Sequence, residues 1–154
     1  MNMSEILRPE AVYSPLKVQS KKRLFQEMAQ GAAALLNLRE SDILSTLLER
    51  ETLGPTGVGH GVALPHGRLA GLGTVEGLFF RLETPIDFDS VDRKPVDLVF
   101  CLLAPEDAGA SHLRALAQVS RLMRSEQICS KIRSTRDPQA IFSIMTNEEA
   151  SEAA

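Results

Sequence analysis

At 154 residues the chain has the length of one domain, and a hydrophobic share of 44% is ordinary for a globular core. Seventeen Lys and Arg against twenty Asp and Glu leave a formal charge of −3 at pH 7, which excludes the basic footprint of a nucleic-acid-binding chain. The longest apolar run, residues 98–104, falls far short of the roughly 20 residues of a membrane span, and residues 1–5 carry no basic stretch ahead of an apolar one. No membrane insertion is expected, and the cytoplasm is the expected compartment.

The elements follow in chain order. Residues 4–7 suit a short helical turn, and residues 12–18 an extended stretch that Pro15 confines to an edge or a break. From Ser20, a fitting N-cap, Leu24, Phe25, Met28, Ala32, Leu35 and Leu36 recur three and four apart until Asn37 stops the helix. A second helix is expected from Ser41 as N-cap through Ile43, Leu44, Leu47 and Leu48, fading near Glu51. Residues 75–82 and 96–103 read as strands, and the second is apolar nearly throughout, as a strand covered on both faces must be. Ser111 opens a helical pattern with Leu113, Leu116, Val119, Leu122 and Met123, and two more helices fit residues 125–132 and 137–145. Helices, strands, then helices again imply an α/β domain with helices flanking a central sheet. The polar, small residues 147–154 are expected to be a disordered tail beyond a single domain of residues 1–146. Cys101 and Cys129 show no CxxC or metal-ligand spacing and are expected to be reduced, buried thiols.

Eight of the ten glycines fall between positions 54 and 77, and two of the three histidines, His60 and His66, lie among them. Pro65 fixes its own φ and biases Leu64 toward extended backbone, while Gly67 permits a sharp departure directly after His66. His66 is therefore expected at a strand end. An imidazole presented there can act as general base, metal ligand or nucleophile, or can be a turn residue with no duty. Other templates fit worse: there is no P-loop, no complete G-x-G-x-x-G, no G-x-S-x-G elbow, and His60, His66 and His112 lack the spacing of a zinc site. Arg50 stands between Glu49 and Glu51 at a helix end, where a solvated ion pair is the ordinary fate.

The run Glu49-Arg50-Glu51-Thr52-Leu53-Gly54-Pro55-Thr56-Gly57-Val58-Gly59-His60-Gly61-Val62-Ala63-Leu64-Pro65-His66-Gly67 closely resembles the signature of the IIA domain of the fructose/mannitol class in the bacterial phosphoenolpyruvate-dependent phosphotransferase system. The resemblance continues through Glu83-Thr84-Pro85-Ile86-Asp87-Phe88, Pro95-Val96-Asp97-Leu98-Val99-Phe100 and Ser111-His112-Leu113, covering nearly the whole chain. With no cysteine-bearing IIB part and no membrane IIC part in this length, the chain is most similar to the nitrogen-regulatory branch. Two positions depart from the family pattern. His60 occupies a variable position and is expected to be a neighbour of the phosphate site, and Pro55 stands where serine is frequent.

The resemblance implies a mannitol-type IIA fold, a layered α/β/α domain with a central mixed sheet. It implies that His66 takes a phosphoryl group on Nε2 from an HPr-like phosphocarrier protein, with Nδ1 protonated. Arg50 matches the family's active-site arginine and His112 its second active-site histidine. Such residues suit phosphoryl transfer, which runs through a loose transition state stabilised chiefly by positioning and by hydrogen bonds to the equatorial oxygens. Thr56, Gly57, Gly59 and Gly61 are further candidates to donate to the phosphate. No cofactor and no metal are expected. The implied function is a phosphoryl carrier that controls regulatory partners in nitrogen or potassium metabolism. The alternatives are a sugar-transport component handing phosphate to a separate IIB protein, and a binding module that works without phosphorylation.

Overall fold

The computed structural model describes residues 2–153, with side chains described for residues 2–147. A short helix α1 (Met3–Ile6) leads into strand β1 (Leu7–Leu16), and helices α2 (Lys21–Leu36) and α3 (Glu40–Thr52) follow. The glycine-rich segment forms three short strands, β2 (Gly57–Gly59), β3 (Val62–Ala63) and β4 (His66–Leu69). The long strands β5 (Glu76–Ile86) and β6 (Val96–Pro105) precede helices α4 (Ala110–Met123), α5 (Glu126–Arg133) and α6 (Pro138–Ala153). The expected tail over 147–154 falls, apart from Asn147, on side chains outside the described residues.

The strands make one six-stranded mixed sheet in the order β1-β5-β6-β3-β2, with β4 also on β6. Strand β6 is central, as its apolar run predicts, and it is buried along nearly its whole length. It pairs antiparallel with β5 and parallel with β3 and β4. Strands β3 and β4 follow one another along the same side of β6: Val62 and Ala63 face Leu98 and Val99, and His66 to Leu69 face Leu102 to Pro105. The Pro65 carbonyl accepts from Leu102 N at 2.9 Å, so pairing continues across the proline and fixes the backbone from which His66 projects. Strand β1, with Pro9 and Pro15, lies at the sheet edge, where a residue without an N–H costs no ladder bond.

Local signals set the helices. Ser20 caps α2 by accepting from Arg23 N, the apolar face Leu24, Phe25, Met28, Ala29 and Ala32 is buried, and Asn37 ends the helix with φ 56°. Helix α3 starts earlier than expected. Its N-cap is Arg39, which makes no side-chain cap, and Ser41 lies inside the first turn; Glu40 and Asp42 instead place negative charge at the positive end of the helix dipole. Helix α4 likewise begins at Ala110 after Gly109, and Leu113 is 64% exposed although it fits the apolar spacing. Cys101 and Cys129 are free and buried, and burial pushes the Cys101 thiol up to about 12.

The expected departure after His66 does not occur, because β4 runs straight through Gly67 to Leu69. Gly67 serves close packing: a Cβ there would lie 2.6 Å from Thr46 Cγ2 of α3. Thr46 stands one helical turn before Arg50, so this contact sets how near α3 brings Arg50 to the strand carrying His66. Gly67→Ala is expected to push α3 outward and destabilise the fold by about 1–3 kcal/mol. A urea midpoint equal to that of the wild type contradicts the packing role.

Candidate functional site

His66 opens β4 and is half-buried. Its Nδ1 lies 2.9 Å from the Leu64 carbonyl oxygen. A carbonyl only accepts, so Nδ1 carries the proton and Nε2 carries the lone pair. Arg50, in the last turn of α3, donates from Nε to that lone pair at 3.3 Å and from Nη1 to the Gly54 carbonyl at 3.0 Å. Arg50 thus bonds to His66 and Gly54 rather than to the glutamates beside it in sequence, and in place of the ordinary ion pair open to such a residue there is an imidazole–guanidinium contact. The third member, His112, sits in the first turn of α4 and is buried, with its ring centroid 5.9 Å from that of His66. Its Nδ1 is buried with no hydrogen-bond partner among the described residues.

Both histidines are held below the ordinary imidazole range. For His66, burial is the leading cause; the Leu64 hydrogen bond and the Glu51 charge oppose it, while the Arg50 charge adds to it. For His112, burial leads again, followed by His66 and Arg68. Around neutral pH the His66 ring is therefore uncharged, with a nucleophilic Nε2 facing a cation. The unfolded chain, with imidazoles near about 6.5, binds more protons than the folded one between the folded values and that pH. Folded stability is thus expected to rise with pH through that window and to be lost as pH falls below about 6.5 toward the folded values. An NMR titration of the His66 and His112 ring protons checks this, and midpoints at or above the ordinary value contradict it.

The remaining candidates separate. Thr56 is buried, and both its N–H and its hydroxyl are given to Glu51, at 2.9 and 2.7 Å. A Cβ on Gly57 would meet Ser90, one on Gly59 the Asp92 carboxylate, and one on Gly61 the Arg133 guanidinium and Asp97. Positive φ at Gly59 (100°) and Gly61 (78°) explains why glycine stands on both sides of His60. His60 itself is exposed; its N–H donates to Asp92 and its carbonyl accepts from Arg133. These partners are not those of His66, so His60 belongs to the β2–β3 turn and not to the hydrogen bonding around His66.

Sequence reasoning missed the supports. The Leu64 and Gly54 carbonyls carry no sequence signal, because every residue has one. Glu51, whose side chain is 8% exposed, pairs with Lys21 of α2 at 2.8 Å, a contact that links segments far apart in the chain. Among the described residues no group of three or more His, Cys, Asp or Glu is placed to hold a metal ion, and no helix is long and apolar enough to cross a membrane.

Known proteins resemble this chain in sequence and fold. The family model described as phosphoenolpyruvate-dependent sugar phosphotransferase system, EIIA 2, matches residues 5–148. A nitrogen regulatory protein of Bradyrhizobium diazoefficiens is 51% identical over 153 residues, which cover 99% of this chain and 100% of that protein. The crystal structure of the nitrogen regulatory protein IIA-Ntr from Neisseria meningitidis superposes with a TM-score of 0.88 at 37% identity, covering 94% of this chain and 99% of that one. The crystal structure of mannitol IIA from Escherichia coli shares the fold, with a TM-score of 0.74 at 16% identity over 88% of this chain and 96% of that one. With the family matched along nearly its whole length and a full-length relative at 51% identity, the chain belongs to the EIIA 2 family of the phosphoenolpyruvate-dependent phosphotransferase system.

Proposed function

We propose that this chain is a phosphoryl carrier whose acceptor is Nε2 of His66 and whose phosphorylation state governs binding to regulatory partners. The observation that carries the reading is the Nδ1–H bond to the Leu64 carbonyl, which leaves the Nε2 lone pair directed at Arg50. In the step, that lone pair forms a bond to the phosphorus of a phosphohistidine on an HPr-like donor. The donor's P–N bond breaks, and its electron pair returns to the donor imidazole. The Arg50 Nε contact, at 3.3 Å, is long for a hydrogen bond and releases easily. Its guanidinium then meets the phosphoryl oxygens, and the His112 ring, its centroid 5.9 Å from that of His66, offers a further polar group nearby. Arg50, His66 and His112 act together; Thr56 and the glycines 57, 59 and 61 hold the backbone that carries His66.

Exposed Leu53 at the end of α3 and Leu113 at the start of α4 flank the residues named for catalysis and give a partner an apolar surface. A dianionic phosphoryl group added beside such a surface changes which proteins dock there. The likeness to nitrogen regulatory proteins supports nitrogen regulation as the setting, while potassium metabolism and a cytoplasmic location follow from the family resemblance alone. The sugar-transport alternative would use the same acceptor motif, in keeping with the match to a sugar phosphotransferase family, and predicts efficient handover to a purified IIB protein. The test is to incubate the chain with phosphoenolpyruvate, enzyme I and an HPr-type carrier, and to follow intact mass. An acid-labile phosphoryl adduct is expected, whereas no adduct from several donors contradicts the proposal and favours a phosphorylation-independent binding module.

A further inference from the structure

The Glu51 carboxylate is buried at the junction of α3, α2 and the turn before β2, and its two bonds to Thr56 lead toward the acceptor site. Oε1 accepts from the Thr56 hydroxyl at 2.7 Å, and Oε2 from Thr56 N at 2.9 Å and Lys21 Nζ at 2.8 Å. Lys21 is itself held from behind, donating to the Phe88 carbonyl at 3.2 Å and lying 4.4 Å over the Phe88 ring. Glu51 therefore fixes Thr56 through two donors on one residue, with an ammonium balancing the charge.

Two arms leave this anchor. In the first, fixing Thr56 closes the turn from Glu51 onward, and the Gly54 carbonyl inside that turn accepts from Arg50 Nη1 at 3.0 Å. In the second, the Thr56 carbonyl accepts from Leu64 N at 3.0 Å, and the Leu64 carbonyl accepts from His66 Nδ1 at 2.9 Å. One carboxylate thus holds the guanidinium on one side and the imidazole tautomer on the other. We infer that Glu51 is a positioning residue that sets the Arg50–His66 geometry for phosphoryl transfer through Thr56, without touching the phosphoryl group. The inference rests on the proposed carrier function for its rate readout, and on the structure alone for its spectroscopic one.

Glu51→Gln tests it, because the amide has one oxygen for three partners: its NH2 must turn to the Thr56 hydroxyl, which then accepts instead of donating, and the charge that balances Lys21 is lost. Single-turnover transfer from a phosphorylated HPr-type carrier is expected to slow about 10- to 100-fold, with the donor concentration for half-maximal rate unchanged. In an Arg50→Gln background the same substitution is expected to slow transfer less than it does in the wild type, since the guanidinium arm is already lost and only the imidazole arm remains. Wild-type speed in Glu51→Gln, or full additivity with Arg50→Gln, overturns the inference. If Glu51→Gln does not fold, Thr56→Val, which removes one bond of the same set, is expected to slow transfer in the same non-additive way. Failure of the wild-type chain to accept phosphate contradicts the carrier function instead. The ring 15N shifts of His66 then decide the positioning role: a single Nδ1–H tautomer in the wild type and a tautomer mixture in Glu51→Gln support it, and identical shifts overturn it.

Discussion

His66→Ala is expected to take up no phosphoryl group from an HPr-type donor under conditions that phosphorylate the wild type completely. The loss is total because the acceptor atom is gone, and the neighbouring imidazole does not replace it. His112 is buried, with its ring 5.9 Å from that of His66, and it lies on α4 rather than at the start of β4. The variant should remain folded, since the His66 side chain is half-buried and its one backbone-directed bond is to the carbonyl of Leu64. Intact mass spectrometry with and without donor gives the answer, and label in the His66→Ala protein contradicts the assignment.

The second large effect is expected from Arg50→Gln. The wild-type guanidinium touches Nε2 of His66 through Nε, is anchored on Gly54 through Nη1, and has no partner for Nη2 among the described residues. It is therefore poised to place two donors on phosphoryl oxygens when Nε2 is engaged, and a bidentate charged fork is stronger than the single neutral amide replacing it. Removing one such preorganised donor of transition-state charge ordinarily costs about 10²–10³ in rate. Transfer is accordingly expected to slow by about that factor, while the same phosphohistidine is eventually formed. Quench-flow measurement of the single-turnover rate separates this from loss of the acceptor, and an unchanged rate excludes Arg50 from the transition state. Arg50→Gln also removes a charge that depresses the His66 pKa, so the ring is expected to titrate at higher pH in the variant.

What the sequence disclosed follows the range of the interactions. The Ser20 cap, the Asn37 stop and the buried face between them are local rules and read directly from spacing. Strand β6 read as central because a strand with helices on both sides has no polar face to betray its position. The start of α3 was misplaced because Arg39 makes no side-chain cap, and the rule that favours Ser41 counts only side-chain caps. Strands β2, β3 and β4 are two to four residues long, too short for any periodicity to register, so the glycine run showed only that backbone freedom is concentrated there.

The site was legible to a different degree. Residues alone presented His66 at a strand end, and the family resemblance singled out Arg50 and His112, which the fold gathers around it. Gly67 permits a sharp departure but is a packing contact instead, because a missing Cβ allows either and only the position of Thr46 distinguishes them. The Glu51–Lys21 pair joins two helices whose approach is set by the core, and no local pattern encodes it.

The most direct test of the central claim is the nitrogen that carries phosphorus. A 31P–15N correlation spectrum of the phosphorylated, 15N-labelled chain is expected to join the phosphorus to Nε2 of His66, with Nδ1 still protonated and bonded to the Leu64 carbonyl. A correlation to Nδ1, or to the ring of His60 or His112, contradicts the account.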